Sequence, residues 1–246
     1  MTIELVIFRT GAVRLPKATF CSWLGSPAKD ELIDAPVWSA LLRTPDGLIL
    51  FDTGLHPVHV ERPDATFGPN TSLQIAMTSD DAIVSRLAAL GVTPDDVTVV
   101  VNSHLHFDHA GNNRAFPNAT FIVQGEHLAF ARGRPNFPAI YWDDPALRYM
   151  PASGRARVVA GVEVVPTPGH APGHQSLVVD LAETGRVVLC GDAGYTRENL
   201  ERGEATAQDP ATARESLLLI RSLVRDDLAR AFPSHDATAF RPGTYR

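Results

Sequence analysis

The most constraining feature of this chain is a cluster of four potential metal ligands within six residues, in the segment Ser103-His104-Leu105-His106-Phe107-Asp108-His109. The β-branched stretch Val97 to Asn102 precedes it and predicts a short buried strand that ends in a ligand-bearing loop. On an extended segment His104 and His106 point the same way, Asp108 continues that face, and His109 falls on the other. The segment can therefore serve two neighbouring cations. Surface or core histidines are the alternative, but so dense a set of N and O ligands favours a metal centre.

Composition places the chain among ordinary soluble proteins. Its 246 residues, 44% apolar and 20% charged, predict a single domain over residues 1–246. A net charge of -6 without any Lys/Arg-rich stretch argues against a nucleic-acid partner and favours small neutral ones. No run of 18 apolar residues occurs and the first residues lack a basic segment, so we expect a cytoplasmic protein without membrane contact. Cys21 and Cys190 are expected to be reduced. Nothing in the sequence indicates the oligomeric state.

Early in the chain, strands are predicted at Ile3 to Phe8 and in a hairpin of Val37 to Arg43 and Leu48 to Phe51, which turns at Pro45-Asp46-Gly47. The second hairpin strand ends in Asp52. A carboxylate at the end of a buried strand suits a partner that fixes a histidine tautomer, although a plain turn aspartate is the alternative.

Two helices and a loop are predicted from periodicity and capping residues. Residues 57–78 show no periodicity and predict a long loop or flap. Ser79 is expected to cap a helix that ends at Gly91, and Asp209 to cap the last long helix. The predicted buried positions are Ile83, Val84, Leu87 and Leu90 in the first helix and Leu217, Ile220, Val224 and Leu228 in the second.

A pattern of strand followed by polar loop recurs in the second half. A strand over 118–124 leads into a short helix or loop at Gly125, and a hairpin over 158–165 leads into the Pro/Gly-rich loop that carries His170. Further strands at Ser176 to Asp180 and Val187 to Cys190 lead to Asp192. His235 lies at the tip of a short strand or turn over 231–236.

Residues 127–153 form an insertion rich in aromatic residues and prolines. Its rings either wall a pocket or cap the core, and the pocket is favoured because irregular segments normally lie at the surface. The predicted substrate-binding residues are Tyr141 and Trp142 in this insertion and Phe20 and Trp23 in the first loop.

Taken together, these features resemble the metallo-β-lactamase superfamily, whose H-x-H-x-D-H motif stands here at residues 104–109. The resemblance implies an α+β fold, an αββα sandwich of two mixed sheets flanked by helices. By position it implies that His170 completes the first metal site, that Asp192 bridges both metals, and that His235 completes the second site. Asp52-Thr53-Gly54 matches the D-T-G signature. His127 and His174 match no ligand position of the family and are expected to be structural.

Within the superfamily, the segments Asp192 to Asn199 and Ser103 to Asn112 are similar to the N-acyl homoserine lactone lactonase branch. That resemblance implies that Tyr195 is the catalytic phenol, with a structural tyrosine as the alternative. Pyridoxolactonases share much of the pattern, and Arg132, Arg134 and Arg148 keep a 4-pyridoxolactonase-like enzyme or another small esterase open. A non-enzymatic metal-binding protein is the third possibility.

Five histidines and two aspartates without a thiolate suit two Zn²⁺ ions, with Co²⁺, Mn²⁺ or Fe²⁺ open. In the reaction implied by the resemblance, a metal-bridging hydroxide attacks the carbonyl of a neutral lactone. One metal and the Tyr195 hydroxyl then hold the oxyanion, and Asp108 passes a proton to the departing alkoxide.

Overall fold

Two β-sheets stacked face to face, with helices outside each, form the fold in the computed structural model, which describes residues 2–25, 30–69 and 73–246. The α+β sandwich of mixed sheets is therefore confirmed. The strands are β1 (Glu4–Pro16), β2 (Leu32–Thr44), β3 (Gly47–Phe51), β4 (Gln74–Ala76), β5 (Val97–Val101), β6 (Thr120–Gln124), β7 (Arg148–Ala152), β8 (Ala156–Val159), β9 (Val162–Pro166), β10 (Gln175–Leu181), β11 (Gly185–Leu189), β12 (Ala231–Phe232) and β13 (Gly243–Tyr245).

The first sheet has the order β13-β1-β2-β3-β5-β6-β7, with β4 also paired to β1. The hairpin of β2 and β3 has the predicted turn, and β5, β6 and β7 extend the sheet in parallel. β1 and β2 continue well beyond the predicted boundaries, because a bulge between Arg9 and Gly11 lets the pairing resume after a shift in register. At the outer edge, β1 pairs with β13, opposing Leu5 to Tyr245.

The second sheet has the order β12-β11-β10-β9-β8. Alternation along its strands separates two cores, because Leu177 and Val179 of β10 face the first sheet while Val178 between them faces the helices. A third cluster lies on the outer side of the first sheet, where Leu50 packs with Ile83. The short strand β12 joins β11 in parallel and leads directly to His235.

The helices are α1 (Val58–Glu61), α2 (Ile83–Ala89), α3 (Gly125–Ala131), α4 (Ala139–Trp142), α5 (Arg197–Arg202) and α6 (Pro210–Leu223). In the described parts of the chain, none is long and apolar enough to cross a membrane. α3 and α6 begin where they were predicted, and the Asp209 side chain caps α6 by accepting from Ala211 and Thr212.

Several details of the helix predictions were wrong. Thr78, and not Ser79, starts the first helical segment, because its side chain forms a capping box with Asp81 around a 3-10 turn that precedes α2. Val84 is 43% exposed and does not belong to the buried face. Leu228 lies beyond α6, because the chain turns through left-handed conformations at Arg225 and Asp226. The predicted loop at 57–78 contains α1 and β4 in its described part.

Candidate metal centre

The predicted ligands come together at one edge of the sandwich, from loops that follow β5, β9, β11 and β12. Parallel neighbouring strands end at the same edge of a sheet, and both β3 with β5 and β11 with β12 are parallel pairs. The loops that follow these strands therefore start at the same edge. Side chains far apart in the sequence thereby form two adjacent groups. The first group contains His104, His106, His170 and Asp192, and the second contains Asp108, His109 and His235.

In the first group, three imidazole nitrogens are in mutual contact. His104 Nε2 lies 2.8 Å from His106 Nδ1, and His170 Nε2 lies 3.1 Å from both. Asp192 Oδ2 completes the group at 3.6 Å from His104 Nε2 and 3.5 Å from His170 Nε2. Ligand atoms of a tetrahedral zinc site with bonds of about 2.0–2.1 Å are about 3.3 Å apart, which is close to these spacings.

The second group converges on the other oxygen of Asp192. Asp192 Oδ1 lies 3.2 Å from the Nε2 atoms of both His109 and His235. Asp108 Oδ2 lies 3.6 Å from the same two nitrogens. Burial alone would lower the pKa of His109, but the carboxylates of Asp192, Asp108 and Asp52 raise it well above 6.5. The group therefore concentrates negative charge that favours a cation.

Unpartnered atoms test whether the group fits a metal. Within the described chain, His109 Nε2 and Asp192 Oδ1 are buried, and although they lie 3.2 Å apart, neither is aligned for a hydrogen bond to the other or to any other group. A buried polar atom without a partner is unfavourable, and a ligated cation removes that penalty. Since Asp192 offers one oxygen to each group, the donor set fits two divalent cations joined by one carboxylate.

The opposite nitrogens of four donor histidines contact oxygen atoms that fix the ring tautomer and aim Nε2 into the centre. The pairs are His104 with Ser103 Oγ at 3.0 Å, His109 with Asp52 Oδ2 at 2.8 Å, His170 with Tyr195 Oη at 2.6 Å, and His235 with the Pro36 carbonyl at 3.0 Å.

Asp52 lies in the position that the sequence suggested for a histidine partner. Its carboxylate also accepts from the Ser103 backbone N–H at 2.7 Å and from Ser103 Oγ at 2.8 Å. Asp52 has a left-handed φ of 55°, a conformation that aspartate and asparagine adopt more readily than most residues do. Sequence reasoning missed Ser103, although it stands directly before the ligand motif.

Tyr195 is buried beside the first group. Burial, and then the carboxylates of Asp192 and Asp108, raise the pKa of its phenol well above 10, so the hydroxyl keeps its proton. Tyr195 Oη donates to the Thr206 carbonyl at 3.0 Å, while His170 Nδ1 lies 2.6 Å from the same oxygen. The hydroxyl therefore contacts the nitrogen of His170 that faces away from the donor group, one imidazole ring away from the donor atom Nε2.

Aromatic rings surround the centre. Phe137 stacks on His106 with ring centroids 4.4 Å apart, and Phe20 stacks on His235 at 5.1 Å. Phe20 also lies 4.7 Å from the Tyr195 ring. Phe107, within the ligand motif, is contacted edge-on by Phe67 at 4.9 Å. The donors therefore have apolar rings among their direct neighbours.

The remaining residues predicted to bind substrate are placed differently. Tyr141 lines a cavity of about 530 Å³ between the insertion and residues 56–66, and its hydroxyl bonds to Thr66 at 2.9 Å. Trp142 is 1% exposed, and its indole N–H donates to the Phe137 carbonyl, so it supports the ring that stacks on His106. Trp23 lies under the Arg202 guanidinium, 4.8 Å from the ring centroid.

His127 and His174 belong to neither donor group. Both are fully buried, and burial lowers the pKa of His127 to about 4. Each accepts a backbone N–H at Nε2, from Leu105 in the case of His127 and from Asp192 in the case of His174. The sequence predicted structural roles for them but did not indicate which segments they contact.

Comparison with known proteins gives one family. A family model described as the Metallo-beta-lactamase superfamily matches residues 32–235. N-acyl homoserine lactonase AiiA of Bacillus thuringiensis subsp. kurstaki is 39% identical over 211 residues, which cover 84% of this chain and 83% of that protein. An N-acyl homoserine lactonase of Bacillus cereus is 38% identical over 242 residues, which cover 96% and 94%.

A solved structure shows the same similarity in three dimensions. The structure of an N-acyl homoserine lactone hydrolase, with the product N-hexanoyl-L-homoserine bound at its catalytic metal centre, matches with a TM-score of 0.89 and 35% identity. The match covers 98% of this chain and 98% of that chain.

Metal content tests the two donor groups. Protein purified without a chelator should contain about two equivalents of divalent metal per chain in elemental analysis, because each group offers at least three donors. His106→Ala should lower the content toward one equivalent, since it removes a donor from the first group. His56→Ala leaves both groups intact and should match the unmodified protein. One equivalent in the unmodified protein that does not rise on metal addition would contradict two sites.

Asp52→Asn tests the orientation of His109. Asparagine keeps the shape and tolerates the left-handed backbone, but its amide nitrogen cannot accept from Ser103 or His109. We expect the affinity of the second group for Zn²⁺ to fall by about 10–100-fold in competition with a chromogenic chelator, as is typical when such a partner is lost. Asp46→Asn, in the exposed turn between β2 and β3, is the control. Equal affinities in the two variants would show that Asp52 does not orient the ligand.

Proposed function

The chain belongs to the metallo-β-lactamase superfamily, and on that premise we propose that it opens the lactone ring of N-acyl homoserine lactones by hydrolysis. The observation that carries the proposal is the pair of donor groups joined by Asp192, with the Tyr195 phenol beside them. Relatives with this activity align over nearly the whole chain. We further propose that residues 1–246 act as one hydrolase domain.

The seven donors are assigned here as ligands of two cations, and Zn²⁺ is proposed because imidazole and carboxylate donors without thiolate suit it. When bound, the cations supply hydroxide at neutral pH and polarise the substrate carbonyl. Asp192 holds the groups in register by contributing one oxygen to each. With both sites filled, Asp108 and Asp192 would offset only part of the positive charge, and the remaining charge would favour the carbonyl oxygen of a neutral ester.

Tyr195 acts as the hydrogen-bond donor to the oxygen that becomes negative in the transition state. Its raised pKa keeps the proton on the phenol, and exchange of the Thr206 carbonyl for the substrate oxygen costs no net hydrogen bond. One such donor is typically worth about 3 kcal/mol. The contact from His170 holds the phenolic oxygen at the edge of the first group.

Asp108 is assigned the proton transfer to the alkoxide that leaves on ring opening. One of its oxygens lies in the second group, 3.6 Å from His109 and His235. Burial is the largest cause that raises the pKa of this carboxyl above its usual 3.8. The Asp108 carboxylate would take the proton that the attacking hydroxide loses when it adds to the carbonyl carbon and pass it to the alkoxide as the ring C–O bond breaks, so that Asp108 ends the reaction ionised.

The acyl chain is proposed to contact the Phe20 and Phe137 rings beside the donors and the side of the cavity that Tyr141 lines. Phe20, Trp23 and Trp142 remain assigned to substrate recognition, with Trp142 acting through the Phe137 ring that it supports. Apolar walls with few polar groups are typical of small-molecule sites.

The 4-pyridoxolactonase alternative loses its structural support. It depended on basic residues of the insertion that would contact a charged ring. Arg132 pairs with Asp143, Arg134 lies over the Phe130 ring, and Arg148 donates to the Asn118 carbonyl. All three are exposed and engaged with neighbours on the surface.

Removal of the Tyr195 hydroxyl tests the oxyanion role. At saturating Zn²⁺, Tyr195→Phe should reduce kcat by roughly 10- to 1000-fold, as expected for loss of one donor to the transition state. Tyr149→Phe removes the hydroxyl of a half-buried tyrosine, which donates to the Trp142 carbonyl, and should leave kcat within a few-fold. An unchanged kcat in Tyr195→Phe would assign that tyrosine to structure only.

A substrate panel tests the activity itself. We expect kcat/KM to rise severalfold per pair of carbons for homoserine lactones with four to twelve acyl carbons, since each buried CH₂ contributes up to about 0.8 kcal/mol. Tyr141→Ala should flatten the rise, whereas Met150→Ala, which is exposed, should not. Faster turnover of 4-pyridoxolactone or simple aryl esters, with a flat acyl profile, would contradict the proposed substrate.

A further inference from the structure

His127 and His174 make the same type of contact in different places. His127 Nε2 accepts the Leu105 N–H at 2.9 Å, and its Nδ1 lies 2.7 Å from the Pro172 carbonyl. His174 Nε2 accepts the Asp192 N–H at 3.0 Å, and its Nδ1 lies 3.0 Å from the Thr167 carbonyl. Each ring therefore connects two backbone segments through its two nitrogens.

These partners determine where the proton is. A backbone N–H can only donate, so Nε2 of each ring must present its lone pair. A carbonyl can only accept, so Nδ1 must carry the hydrogen. Both rings are therefore neutral and in the Nδ1–H tautomer.

The segments that the two rings connect are the ones that carry the first donor group. Leu105 lies between His104 and His106, and Thr167 and Pro172 flank His170. His127 thus joins the first ligand loop to the His170 loop, and His174 joins the His170 loop to Asp192. Together they connect all four donors of the first group. The two imidazoles of the second group have separate supports, because His109 contacts Asp52 and His235 contacts Pro36. Asp192, held by His174, is the contact that the two groups share.

Two glycines show how closely the loops approach these rings. A Cβ on Gly173 would lie 2.5 Å from the His127 backbone nitrogen, and a Cβ on Gly191 would lie 2.8 Å from His174 Nε2. Both glycines have a positive φ, of 67° and 53°. The loops therefore pack against the two histidines at a distance that any larger residue would prevent.

We propose that His127 and His174 are positioning residues that fix the spacing of the first cation site by tying its three ligand loops together. The donors then stand at ligating distance before a cation arrives, so less of the binding free energy is spent on ordering the loops. Loss of a partner that orients ligands typically lowers metal affinity by 10–100-fold. The proposal concerns the cation centre and stands whichever ester the protein hydrolyses.

Paired substitutions separate hydrogen bonding from packing. His127→Leu and His174→Leu retain much of the volume but remove both bonds, whereas His127→Gln and His174→Gln keep an acceptor and a donor. His56 is the matched control, because its Nδ1 also accepts a backbone N–H, from Val58 at 3.1 Å, in a segment without a donor residue. The control variants are His56→Leu and His56→Gln.

Cobalt binding gives a readout that does not depend on turnover. Each protein is titrated with Co²⁺ against a chelator, and the visible absorption of the first site is identified as the part lost in His106→Ala and retained in His235→Ala. His127→Leu should weaken the first site by about 10–100-fold and leave the second within a few-fold, because His127 contacts neither Asp192 nor a donor of the second group. His174→Leu should weaken the first site by a similar factor and also weaken the second, because it frees the backbone of Asp192. The glutamine variants should recover most of the loss, and the His56 variants should match the unmodified protein.

The tautomers are checked in the unmodified protein by long-range ¹H–¹⁵N spectra of ¹⁵N-histidine-labelled samples, with assignments taken from the glutamine variants. Both residues should show a protonated Nδ1 and an unprotonated Nε2. The proposal is overturned if either ring carries its proton on Nε2, if the leucine variants bind both cations as tightly as the unmodified protein does, or if both sites weaken equally in His127→Leu. The spectra decide the matter alone should the leucine variants fail to fold.

Discussion

The whole centre depends on the carboxylate of Asp192, because its two oxygens face different donor groups: Oδ2 lies near His104 and His170, and Oδ1 lies near His109 and His235. Two cations at neighbouring sites repel each other, and a shared anionic ligand reduces that repulsion while holding the distance between them. Burial alone would raise the pKa of Asp192, but His109, His235, His170 and His104 hold it well below 3.8. The residue is therefore ionised before any cation binds, and its backbone is anchored by His174.

The part of the site that could be predicted from residues alone is the part that is contiguous in sequence. His104, His106, Asp108 and His109 stand together after a strand, so their spacing carried the information, including the division of their side chains between two sites. His170, Asp192 and His235 are brought in by strand pairing over long separations, and only the family resemblance pointed to them. The predicted sandwich followed from the same resemblance and is confirmed.

Other features could not be derived because they depend on packing. Trp142 and Tyr141 are neighbours in an aromatic insertion, yet one is enclosed in the core and the other lines a cavity. Composition cannot separate these cases, since both environments favour apolar rings. Val84 matched the helical period but faces outward, and the roles of His127 and His174 depend on backbone partners that leave no mark in a sequence. For His174, the only hint in the sequence was its place directly after Gly173, in the loop that carries His170.

The pairing of β1 with β13 has a consequence for how the chain is made. β1 is synthesised long before β13. On the edge of β1 that faces away from β2, Ala12–Arg14 pair with β4, but Leu5–Ile7 gain a partner only when residues 243–245 arrive. Until then the first part of β1 presents unpaired backbone groups along that edge, which is the geometry through which strands of separate chains associate. His235 is also synthesised late, so the second donor group cannot form before residues 231–236 have joined β11. Yield of active protein should consequently respond to synthesis rate and temperature, and metal present earlier should help little until His235 is in place.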